Sequence, residues 1–276
     1  MARAAASRVT GPERRVLRPA EPGVFAAGEL DGLPAPVLRH LTASVAPGTP
    51  LARTARLRMR GAIRVGGWLP FRAHEVLGPH TGFVWSARVA GVISGSDRYV
   101  DGAGVTDWHL AGLIPVVHAD GPDVTRSAAG RAGGEAVWVP TALLPRFGVT
   151  WTAESDHRIT ARFAVGSGSA RVPLEIHLLL DAAGRAVSFS FARWGDPEGA
   201  GAWGWHPFGG DVTEHRTFGG VTVPAAGRIG WFPGSPGWAR GEFFRYRITD
   251  LELVTRRVSR GSTAQPSKAK VHRWGA

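Results

Sequence analysis

The sequence predicts a mainly β fold of the α+β type: a curved antiparallel sheet, or half-closed barrel, wrapped around one central helix. Three observations predict it. Apolar residues recur with a period of two over many short runs, the mark of strands with one buried face. Glycine and proline punctuate those runs, with 38 glycines and 20 prolines in 276 residues. One stretch breaks the rhythm. In RAGGEAVWVPTALLP, residues 131–145, Val137, Leu143 and Leu144 fall at roughly helical spacing. Pro140 cannot sit in mid-helix without a kink, so the segment reads as two short turns joined near Val139 and ended by Pro145. A single apolar helix of about 131–144 among amphipathic strands is best placed across the concave face of a sheet.

The elements follow in order. Residues 1–32 are rich in Ala, Arg, Pro and Gly and read as a disordered basic segment. Pro36 to about Val45 reads as a short helix with Val37, Leu38 and Leu41 on its apolar side. Residues 55–65, ARLRMRGAIRV, alternate strictly. Leu57, Met59, Ile63 and Val65 share one face, and Arg56, Arg58, Arg60 and Arg64 share the other. The arginine face reads as solvated, with salt bridges to neighbouring strands. Further strands are expected at 71–77, 83–91 and near 97–105, then at 148–154, 158–165, 172–180 and 186–193. Residues 107–119 are mixed, and 194–209 read as loop. Strands are expected again at 211–218, 221–223, 227–232 and 242–254. In the last, Phe243, Arg245, Arg247, Leu251 and Leu253 fall on one side and Phe244, Tyr246 and Ile248 on the other. Residues 33–255 therefore read as one β-rich domain, and 256–276 as a disordered basic tail. Short turns between successive strands make a meander. Ten or so such strands must curl or close.

Charge narrows the possible partners. The net charge is +11, but residues 1–20 contribute +4 and 256–276 contribute +6, which leaves the body near neutrality. A nucleic-acid-binding domain is expected to carry its basic footprint on the folded body, so no specific nucleic-acid partner is expected. There is no cysteine, hence no disulfide, thiolate catalysis or cysteine metal site. No apolar run is long enough for a membrane span, and the N-terminus lacks the apolar core of a secretory signal. These features set the expectation of a cytoplasmic protein.

The stretches LPAPVLRHL at 33–41, WLPF at 68–71, GFVWSARV at 82–89 and EAVWVPTALLP at 135–145 resemble DUF6544 (formerly DUF6920), a bacterial family of uncharacterised function. The Arg193–Trp194 and Val223–Pro224 pairs fit the same likeness, which covers roughly 33–254. The resemblance implies one domain and no particular chemistry. The layout is also similar to the lipoprotein-carrier architecture, a curved sheet around a helical plug that holds acyl chains.

Signatures of catalysis and of cofactor binding are missing: there is no HExxH, no Gly-x-Ser-x-Gly, no P-loop and no GxGxxG. The ten histidines show no pair at ligand spacing, so neither metal nor cofactor is expected. Eleven tryptophans and twelve phenylalanines against two tyrosines suit a wide interior or an apolar pocket. Trp85, Trp138, Trp151 and Trp231 are the candidates to line it. Glu135, read at the start of the central helix where the dipole favours an anion, is the candidate carboxylate. Arg193, in the apolar run SFSFARW, is its expected partner, because a buried carboxylate needs one. These six residues form the expected site for an apolar or amphipathic, lipid-like small molecule held between helix and sheet. Two alternatives stand beside it. One is an enzyme of unfamiliar type using Glu135 with a histidine such as His206. The other is an interaction protein that uses its basic tails. The sequence carries no signal for oligomeric state.

Overall fold

In the computed structural model, the described residues are 9–168 and 171–255. The basic tail at 256–276 and residues 1–8 lie outside them.

Thirteen strands form one sheet. Six make the first meander: β1 (Ala55–Val65), β2 (Gly67–Gly78), β3 (Gly82–Val89), β4 (Ile93–Val100), β5 (Ala103–Leu110) and β6 (Ile114–Ala119). Seven make the second: β7 (Thr150–Ser155), β8 (Arg158–Val165), β9 (Val172–Leu180), β10 (Ala186–Gly195), β11 (Gly204–Phe218), β12 (Val221–Trp231) and β13 (Glu242–Leu253). The meanders join where β1 pairs antiparallel with β13, giving the order β6-β5-β4-β3-β2-β1-β13-β12-β11-β10-β9-β8-β7. β6 and β7 are therefore the two edges. The chain must cross the whole sheet between them.

That crossing is α3 (Pro122–Gly134), followed by 3-10 turns at Glu135–Trp138, Pro140–Leu143 and Pro145–Phe147. α3 packs on β3, β4 and β5 from one wing and on β8, β9 and β10 from the other. β5 and β9 stand nine places apart in the strand order. On a flat sheet that is about 43 Å at roughly 4.8 Å per strand, and a helix is only about 10–12 Å wide. The sheet must therefore curl around α3, and it does so without closing. Small residues let the helix sit deep. A Cβ on Gly133 would lie 2.3 Å from Leu174, and one on Gly134 would lie 2.2 Å from the Phe191 ring.

The strands at 55–65, 158–165 and 172–180 match the expected bounds, and α2 (Ala35–Ser44) lies one residue from its expected start. Four expectations are corrected. First, the helix precedes the expected 131–144 by about two and a half turns: its first half, PDVTRSAA, has few large apolar residues to mark it. Secondly, residues 97–105 contain a hairpin turn at Asp101-Gly102, and residues 204–209, read as loop, begin β11. Thirdly, β13 changes its buried face after Ile248, because a bulge opposite Arg58/Met59 shifts the register. Phe244, Tyr246 and Ile248 face the core before it, and Leu251 and Leu253 after it.

Fourthly, residues 9–32 are packed against the body. α1 (Gly11–Val16) begins with a capping box in which Thr10 Oγ1 accepts from the Glu13 amide and Glu13 accepts from the Thr10 amide. Val16 covers Val76 and Val84 on the outer face of the sheet, while Phe25 and Leu30 enter the main core. Three apolar anchors and one cap, spaced through Ala, Arg and Pro, order this segment.

Candidate functional site

The residues between α3 and the floor of the sheet enclose a cavity of about 130 Å³. Its apolar wall is made of Met59, Ile63, Phe189, Phe208, Ile229 and Phe244, which the two-residue period of β1, β10, β11, β12 and β13 turns inward. Its polar wall is Asp97, Arg131, Glu135 and Arg193. The volume is close to the roughly 150 Å³ of a cavity that takes up benzene, and below the few hundred Å³ of a pocket for a drug-sized ligand.

Of the six candidate residues, four line this cavity: Trp85, Trp138, Glu135 and Arg193. Trp138 is buried with its ring edge-on to Tyr246 at 5.1 Å. Its Nε1 and the Tyr246 hydroxyl both lack a hydrogen-bond partner among the described residues. Burial pushes the Tyr246 phenol upward. Trp85 Nε1 points at Met59 Sδ, 3.5 Å away. The other two tryptophans lie elsewhere. Trp151 is core, its Nε1 donating to the Leu143 carbonyl at 3.0 Å. Trp231 sits behind the cavity wall against Phe208, at 4.8 Å.

Glu135 does not meet Arg193. It occupies the C-terminal cap of α3, where the helix dipole disfavours an anion, and is held by Arg131 one turn earlier at 2.7 Å. Arg131 also reaches Asp97 at 2.9 Å and Glu75 at 3.9 Å, and lies over the rings of Phe83 and Trp85. Asp97 accepts a further bond from Trp108 Nε1 at 2.9 Å. One cation thus serves three carboxyl groups. Burial works against the charge of Arg131, but Glu135, Glu75 and Asp97 outweigh it and raise its pKa.

Glu75 is the acid that sequence reading missed. It is wholly buried, and neither oxygen has a hydrogen-bond partner among the described residues. Burial first, and then the Glu135 charge, push it well above the usual carboxylate range, with Arg131 offsetting only part. Its signal in the sequence was available: Glu75 shares the inward phase of Phe71 and Leu77 on β2.

Arg193 has no carboxylate within ion-pairing distance among the described residues. Its Nε donates to the Ser127 carbonyl at 3.3 Å, and its guanidinium lies 4.5 Å over Phe208 and 5.4 Å over Trp231. Burial and the charge of Arg131 pull its pKa down to about 10, so it remains a cation at neutral pH. His206 is its cross-strand neighbour on β11 and packs against Trp231 and Phe232 without lining the cavity. The pairing of Glu135 with His206 as acid and base therefore has no geometry behind it. Among the described residues no group of three or more metal-ligating side chains is placed to hold an ion.

Two solved structures resemble this architecture. One, from Vibrio parahaemolyticus, is described as an outer membrane lipoprotein-sorting protein domain; it has 8% identity and a TM-score of 0.38, over 72% of this chain and 85% of that one. The other is a LolA superfamily protein from Nitrosomonas europaea, with 9% identity and a TM-score of 0.42, over 79% of this chain and 92% of that one. No curated protein matches the sequence. A family model matches residues 23–241, and the chain accordingly belongs to DUF6544, a family of unknown function.

Proposed function

We propose that the protein binds, without transforming it, a small amphiphile whose apolar part enters the cavity and whose anionic head meets Arg193. One observation carries the reading. A guanidinium with no carboxylate partner among the described residues stands at the wall of an apolar cavity. A partly buried cation stripped of water favours an anion more strongly than an exposed one does. The neighbouring acids do not serve it, because Arg131 already holds them. The cavity suits a short alkyl chain, the end of a longer one, or a single ring. Native mass spectrometry of the purified protein, followed by solvent extraction, tests the proposal. The expected result is a bound carboxylate or phosphate amphiphile released on denaturation. A protein that is free of small molecules and takes up none from a mixture of such amphiphiles contradicts it.

A further inference from the structure

We propose that one end of the sheet, with the arginine-rich outer face beside it, docks on a bilayer that carries anionic headgroups. The proposal extends the reading of the cavity as an amphiphile site, since a docked bilayer would supply or receive the ligand.

The first observation is a row of like charges. Arg247 on β13, Arg60 on β1, Arg72 on β2 and Arg88 on β3 stand directly opposite one another in register, on one face. Directly opposed side chains lie about 5 Å apart, and like charges so placed repel. Arg247 is paired with Glu214. Arg60, Arg72 and Arg88 are exposed and have no ion pair among the described residues. The same strand is balanced further along, where Arg58 faces Asp250 and Arg56 faces Glu252. An open depression of about 670 Å³ lies over the uncompensated part, lined by Arg60, Arg72, Arg88, Arg245 and Arg247. On a body close to neutral, this is a local concentration of positive charge.

The second observation is independent. The turns at 66, 90–92, 111–113, 196–203 and 232–241 all lie at one end of the sheet, as the strand pairings require. Eight of the thirteen exposed large apolar side chains among the described residues gather there, including Val65, Trp68, Val92, Leu113, Ile114 and Trp205, with Leu113 84% exposed. The turns at the other end, 79–81, 101–102, 156–157, 181–185 and 219–220, carry Asp101, Asp156 and Asp181, the last paired with Arg185, and no large apolar side chain. The apolar end has Asp196 and Glu198 as its turn acids, against Arg64 and Arg240. Trp68 there lies under Arg245 at 4.2 Å and under Arg64 at 5.9 Å. Tryptophan with arginine alongside suits the boundary between headgroups and acyl chains.

A free anion would use the arginines and leave the apolar tips unexplained. A bilayer uses both. Ile63, Arg193 and Phe243, three of the partly exposed residues of the cavity lining, lie within three residues of turns at this same end. A ligand could thus pass between bilayer and cavity without crossing the sheet.

Flotation of the full-length protein with vesicles tests the proposal, comparing phosphatidylcholine alone with phosphatidylcholine containing phosphatidylglycerol. The wild type is expected to bind the anionic vesicles, and less well as salt rises. Arg60→Glu with Arg72→Glu is expected to weaken that binding at least about tenfold, given several-fold per basic side chain at an anionic surface. Leu113→Asp with Ile114→Asp is expected to weaken it similarly. Leu179→Asp, an exposed apolar site at the opposite end, is expected to leave it unchanged. Decanoate binding in solution separates docking from the cavity reading, and each variant should keep it. A wild type that binds decanoate but no vesicle overturns the docking proposal alone, as does one that binds pyrophosphate and no vesicle. Vesicle binding unchanged in both double variants also overturns it, and assigns the attraction to the basic tail. Vesicle binding as predicted with no decanoate uptake leaves docking standing and overturns the cavity reading.

Discussion

Arg131 donates to Glu135 at 2.7 Å across one turn of α3, and this pairing leaves the Arg193 guanidinium facing the cavity without a carboxylate. The site is polarised as a result. Its acids are gathered on one cation, and a second cation stands apart among aromatic rings.

The pairing predicts a specific coupling. Arg131→Met should destabilise the protein by roughly 3–5 kcal/mol, the usual effect of stranding a buried charged partner. A double-mutant cycle between Arg131→Met and Glu135→Gln should show coupling of about 1–3 kcal/mol. The corresponding cycle between Glu135→Gln and Arg193→Met should show almost none. Urea titrations of the five variants and the wild type measure both. Strong coupling between Glu135 and Arg193 would overturn the assignment.

Glu75 predicts a dependence on rising pH. Its folded pKa is raised above the unfolded value, first by burial and then by Glu135. The stability it contributes is complete below the usual glutamate pKa and is lost as pH rises through the folded one. Glu75→Gln mimics the neutral acid. The variant should match the wild type near pH 4 and exceed it at pH 8 in thermal melts. A variant that loses stability at every pH would mean that Glu75 acts as an ionised partner of Arg131.

His40 predicts the opposite limb. It is buried, its Nδ1 lies 2.9 Å from the Gly184 carbonyl, and burial lowers its pKa from 6.5 to about 4. A base depressed in the fold contributes stability above its unfolded pKa, and that contribution disappears as pH falls through the folded one. The wild type should lose about 3 kcal/mol between pH 6.5 and 4 from this group. His40→Gln should flatten that limb. An unchanged slope would assign the acid sensitivity to other groups.

The N-terminal segment predicts a stability effect of its own. Phe25 and Leu30 are buried in the main core. Phe25→Ala should cost about 3–5 kcal/mol, and deletion of residues 1–32 should lower the melting temperature by many degrees. A deletion with the melting temperature of the full chain would show that the segment does not pack.

Much of the fold was legible because alternation is a local signal. β1 shows it best, with Leu57 and Met59 buried and Arg58 and Arg60 exposed. Where non-local pairing decided the outcome, the pattern misled. The face of β13 switches at a bulge that depends on its partner strand. Its sequence alone reads as two incompatible phases. α3 lies earlier than the apolar spacing predicts, because its packing face is built from alanine and glycine, which carry no hydrophobic period. The site was half legible for a related reason. Trp85 and Trp138 announced themselves by size, whereas the partner of Glu135 depended on which element lay opposite. The salt bridges expected for the arginines of β1 do not form among the described residues: Arg60 faces Arg72 and Arg247, and Arg56 and Arg58 stand in register with Glu252 and Asp250 without pairing.

The central claim is that an anionic amphiphile enters the cavity with its head on Arg193. Calorimetric titration with decanoate, decanol and decylammonium, on the wild type and on Arg193→Met, tests it most directly. The account predicts saturable binding in the order decanoate, decanol, decylammonium. It also predicts that Arg193→Met weakens decanoate about tenfold or more, in line with a charge-assisted hydrogen bond of roughly 1.5–3 kcal/mol, and leaves decanol nearly unchanged. Equal affinity for decanoate and decylammonium, or decanoate binding indifferent to Arg193, would contradict it.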